Sequence, residues 1–166
     1  MKIRKANQAE YPQVLEFYYS ISDSMCDSPF RPTWRRRIYP VLDDLTGNLF
    51  IATEDSDGSI GAVLVNDHQG TGYENGVWRL TTDKVAVVHL LAVSPNRQHE
   101  GIARALLSCA RDSVRDQADV IRLDTLANNL PAKRLYEGFG FQVSGDIDVE
   151  CEGVGVKKFT LYEYVF

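Results

Sequence analysis

The feature that most limits the folds open to this chain is the run from Lys84 to Val93, an almost unbroken apolar stretch rich in valine. β-Branched residues without polar alternation suit a strand covered on both faces, so a central sheet strand is predicted here. Ser94-Pro95-Asn96 breaks that pattern. Ile102, Leu106, Ala110 and Val114 then recur every four residues, the buried stripe of an amphipathic helix. A strand, a loop and a helix in this order leave a loop at the helix start. Unpaired N–H groups and the positive end of the helix dipole favour an anion there.

The remaining segments arrange themselves around this unit. Ile3 to Lys5 reads as a short strand, and Asn7 with Glu10 forms a capping box that opens a helix through about Ser22. Asp23 to Pro32 reads as loop and Trp34 to Leu45 as a second helix. Leu49 to Glu54 and Ile60 to Asn66 form a predicted hairpin through Asp55-Ser56-Asp57-Gly58. Asp67 to Asp83, rich in Gly, Asn and Thr, is a long irregular loop carrying Tyr73 and Trp78. Val120 to Asp124 is a strand, Pro131 opens a short helix through about Glu137, and Gly138-Phe139-Gly140 closes it. Phe141 to Val149 and Lys157 to Tyr164 are the last strands; the latter would suit pairing in a homodimer if it lies at a sheet edge. The expected class is α/β, a mixed sheet of about six to seven strands with about four helices on its faces.

The 166 residues suit one domain spanning 1–166, as a monomer or homodimer. No apolar run approaches the ~20 residues that cross a bilayer, and Met1 to Lys5 has no signal-peptide character, so a cytoplasmic protein without membrane contact is expected. A net charge of −5 argues against nucleic acid, and the one basic run, Arg35-Arg36-Arg37, is short. Cys26, Cys109 and Cys151 are widely separated, with neither the pairing nor the His neighbours of a zinc site, so no metal and reduced, mostly buried thiols are expected.

Two motifs turn this frame toward a function. Gln98-x-x-Gly101-x-Ala103, preceded by Leu91-Ala92-Val93-x-Pro95, is neither a Walker loop nor a dinucleotide fingerprint. It resembles the Gln/Arg-x-x-Gly-x-Gly/Ala signature of the GNAT acetyltransferase superfamily. Asn129-x-x-Ala132-x-x-Leu135-Tyr136-x-x-x-Gly140-Phe141 is similar to that family's second hallmark. The resemblance implies the GNAT acyl-CoA N-acyltransferase fold and acetyl-CoA as cofactor. It places the pyrophosphate on the backbone of Gln98, His99, Glu100, Gly101, Ile102, Ala103 and Arg104; from their charge alone, Arg97 and Arg104 are expected to add local positive charge. The pantetheine would lie along Leu91, Ala92 and Val93, and Asn129, Ala132 and Tyr136 would also meet the cofactor. His99 and Glu100 stand where the family more often has Gly and a basic residue. An acid is compatible with a pyrophosphate there only if its side chain points away to solvent.

Acetyl transfer to an amine asks for a neutral nucleophile, donors for a developing oxyanion and a proton for the departing thiolate. By the resemblance Tyr136 supplies the proton and a backbone N–H near Leu91 meets the oxyanion. Strand alternation puts Val87, His89, Leu91 and Val93 on one face, which makes His89 the first candidate for the base and Asp124 the next. For the acceptor, Trp34, Tyr39, Tyr73 and Trp78 are positional candidates, and Glu54, Glu74 and Asp83 would attract a cationic amine. The expected activity is transfer of an acetyl group to a primary amine of a small molecule or peptide, by direct attack in a ternary complex. A non-catalytic acyl-CoA sensor of the same fold is the alternative, and an O-acyltransferase or longer-chain acyltransferase a third reading.

Overall fold

The computed structural model describes residues 1–25, 28, 30–34, 38, 48–54 and 58–166. Among the described residues, seven strands and three long helices follow one another as β1 (Lys2–Lys5), α1 (Tyr11–Ser24), β2 (Asn48–Thr53), β3 (Ser59–Asn66), β4 (Val85–Val93), α2 (Ile102–Val114), β5 (Val120–Leu126), α3 (Leu130–Phe139), β6 (Gln142–Cys151) and β7 (Gly155–Val165). Residues 31–34 add a helical turn. The strands lie in the order β1-β2-β3-β4-β5-β7-β6 in one mixed sheet. Antiparallel ladders join β1 to β2, β2 to β3, β5 to β7 and β6 to β7, and β4 runs parallel to β5 from Val85 opposite Val120 to Val87 opposite Arg122. β7 lies between β5 and β6, so the edge that Lys157 to Tyr164 would have offered a second copy belongs to β6 instead. The predicted helix from Trp34 to Leu45, Tyr39 within it, Cys26, the Arg35–Arg37 run and Asp55 to Asp57 of the hairpin turn fall on or across positions outside the described residues.

Two compact units make up the chain. The first holds Met1–Asn66 and Val88–Ser113. Its capping box forms as the sequence predicts: the Asn7 N–H donates to Glu10 Oε2 at 3.0 Å, ahead of α1. Val14, Phe17, Tyr18 and Ile21 of α1 pack with Leu49, Ile51, Ala62, Leu64, Leu90 and Ala92 in one buried cluster. α2 covers the opposite face of β3. A Cβ built on Gly61 would stand 3.0 Å from both Ile102 and Leu106, and Gly61 alternates along the strand with the Ala62 that faces α1.

The second unit holds Asp67–Val87 and Val114–Phe166. Tyr73, Val85, Val87, Val120, Ile147, Phe159 and Leu161 form its cluster. The irregular loop from Asp67 to Asp83 is clipped down by a buried ion pair. Arg122 Nε lies 3.3 Å from Glu163 Oε1, and the two side chains are 6% and 1% exposed. The guanidinium also donates to the Leu80 carbonyl at 2.8 Å and to Gln69 at 2.9 Å, and sits 4.1 Å from the Trp78 ring centroid. Glu163 Oε2 accepts from the Arg79 N–H at 2.7 Å and from the Ser144 hydroxyl at 2.9 Å. Each guanidinium nitrogen and each carboxylate oxygen of the pair thereby has a partner, the condition under which a buried ion pair is tolerated.

Candidate active site

In the first unit the site begins on β4. Burial alternates from His89 onward, with His89, Leu91 and Val93 half-buried and Leu90 and Ala92 buried. Leu90 has φ 51°, a left-handed conformation in the interior of a strand. A residue unbranched at Cβ bears this at about 1–2 kcal/mol, and the kink re-aims the neighbouring N–H and C=O groups away from a regular ladder. His89 Nε2 lies 3.0 Å from Asn66 Oδ1. An amide oxygen only accepts, so His89 Nε2 is the donor in this contact. Position-specific reading of the sequence could not find Asn66, which stands on β3, 23 residues earlier.

After β4 the Ser94 N–H donates to the Ile60 carbonyl at 2.9 Å, and Pro95–Arg97 form one 3₁₀ turn. His99 with φ 68° and Gly101 with φ 80° are both left-handed. His99 thus occupies a conformation that glycine adopts without strain, a reason for the more usual residue there. A Cβ added at Gly101 would meet nothing within 4 Å. The N–H groups of Ile102, Ala103 and Arg104, at the first turn of α2, have no intrahelical acceptor. Open space, a helix N-terminus and a left-handed glycine fit a phosphate group drawn close to the backbone.

Arg97 departs from its expected role as an added positive charge. Its guanidinium donates to Glu54 at 2.7 Å through both terminal nitrogens, and to Glu100 at 2.8–3.0 Å through Nε and Nη2. The hydrogen bonds from Arg97 hold both carboxyls below the usual carboxylate range. The Met1 ammonium also lies 4.0 Å from Glu54, so two cations meet two carboxylates and Arg97 has no surplus charge to offer. Glu100 is therefore turned onto Arg97, and Glu54, proposed from sequence as an attractor for a cationic amine, is engaged with the same residue. The i,i+3 spacing of Arg97 and Glu100 was visible in the sequence; Glu54 was not.

The second unit carries the other motif. Asn129 is the N-cap of α3, its side chain accepting from the Ala132 N–H at 3.4 Å, and Gly140 closes the helix with φ 117°. Asn129 thus sits at the helix start, ahead of Ala132 and Tyr136. Tyr136 is 8% exposed, its ring 6.0 Å from Phe141 and 5.7 Å from Tyr162. The Tyr162 hydroxyl donates to Glu137 at 2.8 Å. Asp124 on β5 pairs with Leu161 and lies near Gly70 of the loop.

Of the aromatic candidates for the acceptor, Tyr73 is 3% exposed within the second unit's cluster, 5.1 Å from Trp78. The Trp78 indole donates to the Tyr73 carbonyl at 2.8 Å. Both are tied into the packing of the loop. Trp34 packs against the first unit's cluster, 6.3 Å from Tyr18, and Tyr39 lies outside the described residues. Cys109 and Cys151 are half-buried free thiols. Among the described residues no helix is long and apolar enough to cross a membrane, and no group of His, Cys, Asp and Glu could hold a metal ion.

A mixed sheet whose kinked strand runs into an open, glycine-bearing loop at a helix N-terminus is an arrangement that an anionic ligand would suit. The family model "Acetyltransferase (GNAT) domain" matches residues 46–143, more than half of the chain, and the chain belongs to this family. It is 32% identical over 101 residues to a mycothiol acetyltransferase of Kineococcus radiotolerans, which covers 61% of this chain and 32% of that one. The chain spans about a third or less of the length of the curated relatives it matches. Among solved structures, a ribosomal-protein-alanine N-acetyltransferase from Brucella melitensis superposes with TM-score 0.70 at 16% identity, covering 100% of both chains. The yncA protein of Salmonella typhimurium, solved with its cofactor acetyl-CoA, gives 0.69 at 19% identity over 99% of this chain and 92% of that one. At such identities these structures speak for the fold.

Proposed function

We propose that this chain is an acetyl-CoA-dependent N-acetyltransferase, one catalytic domain that acetylates a primary amine of a small molecule or peptide. The observation that carries the reading is the Gly101 loop: left-handed, open around the missing Cβ, and set between β4 and the N-terminus of α2. Membership of the GNAT family and the acetyl-CoA held by the similar Salmonella structure support it.

In this reading Gln98, His99, Glu100, Gly101, Ile102, Ala103 and Arg104 offer backbone N–H groups to the pyrophosphate, and Leu91, Ala92 and Val93 align the pantetheine. Asn129, Ala132 and Tyr136 complete the contacts. Acetyl-CoA supplies an activated acetyl thioester. A backbone N–H near Leu91, presented by the kink at Leu90, offsets charge growing on the carbonyl oxygen. His89, held by its contact with Asn66, takes the proton of the incoming amine. Tyr136 returns a proton to sulfur: a thiol of reference pKa near 8.5 leaves readily enough that a phenol of pKa about 10 suffices as donor.

Calorimetric titration with acetyl-CoA, followed in the same cell by primary amines and a free-thiol assay, tests this. Micromolar binding with amine-dependent thiol release is expected. Binding without release by any amine would favour the sensor, and no binding would remove the Gly101 loop as a cofactor site.

A further inference from the structure

Among the described residues, the buried polar atoms of the first unit that meet no hydrogen-bond partner include the hydroxyls of Tyr18, Ser22 and Thr33 and the indole N–H of Trp34. They form a neighbourhood. Tyr18 and Ser22 lie one turn apart on the same face of α1. The Trp34 ring is 6.3 Å from that of Tyr18, and Thr33 precedes Trp34 on the helical turn closed by the Trp34 N–H to Phe30 bond at 2.9 Å. Tyr18 and Ser22 are 0% exposed and Thr33 is 5% exposed. Burial alone pushes the Tyr18 hydroxyl far above its ordinary pKa, so it stays a neutral donor.

Buried polar groups are almost always paired, because an unpaired one forfeits its hydrogen bonds to water and gains none in return. One such atom is an ordinary exception; four in one neighbourhood mark a place where something else supplies the bonds. Three hydroxyls and an indole offer four donors and three oxygen acceptors, with no formal charge among them. They suit a neutral group that both accepts and donates, and would leave a bare ammonium or carboxylate without a counter-charge. Tyr18 packs in the cluster that includes Leu90 and Ala92, and Trp34 packs against it, so the neighbourhood adjoins the strand proposed to present the thioester.

We infer that Tyr18, Ser22, Thr33 and Trp34 bind a neutral hydroxyl or amide group of the amine acceptor, so that this protein selects amines carrying such a group over plain alkylamines. The inference rests on the N-acetyltransferase reading and names a substrate class within it. Side-chain types alone gave no sign of it, because Tyr18 and Ser22 sit on what reads as a core stripe.

The test pairs amines of matched shape. trans-4-Aminocyclohexanol is compared with cyclohexylamine, and alaninamide with isopropylamine, by thiol release and by shift in melting temperature at saturating acetyl-CoA. The wild type should favour at least one polar member by tenfold or more in kcat/KM, and which pair shows it separates hydroxyl from amide recognition. In Tyr18→Phe/Ser22→Ala/Thr33→Val the preference should collapse to within about threefold. Acetyl-CoA affinity should be unchanged, and the melting temperature equal or higher, since the unpaired groups are gone. Should the triple variant not fold, Tyr18→Phe alone should lower the preference roughly fivefold, the size of one hydrogen bond. No preference in a wild type that binds acetyl-CoA, whether read by rate or by melting shift, overturns the inference and leaves the enzyme reading standing, as does a preference the variants keep. Loss of acetyl-CoA binding in the wild type itself would overturn the reading beneath it.

Discussion

A phenol that is 8% exposed, with Phe141 and Tyr162 against its ring, is held in one place, and the proposed proton donation needs that fixity. Tyr136→Phe keeps the packing and removes only the hydroxyl. Turnover should fall more than tenfold with acetyl-CoA affinity unchanged, measured by steady-state kinetics beside calorimetry; undiminished turnover would return Tyr136 to a packing role. The Glu54–Arg97–Glu100 trio makes a second prediction at this scale. Glu100→Gln removes one negative charge and leaves Arg97 paired with Glu54. Acetyl-CoA should then bind about threefold tighter at low ionic strength, a gain that fades as salt is added. An unchanged Kd would show the trio to be remote from the phosphates. The sequence carried Tyr136 openly, through a motif. It could not carry the fate of Arg97, which depends on a glutamate 43 residues upstream.

Among elements, those with strong internal periodicity were legible. α2 spans Ile102–Val114, as its four-residue repeat predicts, and β4 starts and ends within a residue of the apolar run. The kink at Leu90 was hidden, because nothing in a leucine announces a left-handed conformation. At Gly101 the conformation and the open space make separable predictions. Gly101→Ala and Gly101→Glu should each lower stability by about 1–2 kcal/mol in urea unfolding, because both force a Cβ into left-handed backbone and neither Cβ meets a neighbour. Binding of acetyl-CoA should survive the alanine and vanish with the glutamate. The entry to α1 offers a pH-dependent case. Hydrogen bonds from Arg4 and from the Asn7 N–H hold Glu10 down to about 2, below its ordinary value of 4.5. A carboxyl depressed by folding stabilises the folded state above its unfolded pKa and loses that contribution as pH falls through the folded value. Unfolding midpoints of the wild type and Glu10→Gln should therefore differ at neutral pH and converge between about 4.5 and about 2.

For the molecule as a whole, the mixed sheet and the succession of strands and helices could be read from patterning, whereas the position of each strand in the sheet could not. Lys157 to Tyr164 looks like any long strand; only the ladders to β5 and β6 on its two sides show it to be interior. The same holds for the loop from Asp67 to Asp83. Its composition announced irregularity, but the buried Arg122 and Glu163 that clip it come from distant strands. These clips join residues 42 and 84 positions apart, so they can close only once β5 and β7 have paired. Contacts of such separation are late arrivals on a folding route, since the chain must first lose the freedom of a long intervening segment. Glu163→Gln leaves a buried guanidinium without its counter-charge and should cost about 3 kcal/mol at equilibrium. In stopped-flow experiments nearly all of that loss should fall on the unfolding limb, with the refolding rate hardly changed. The ion pair would then act as a kinetic latch, governing how long the native state persists more than how quickly it forms.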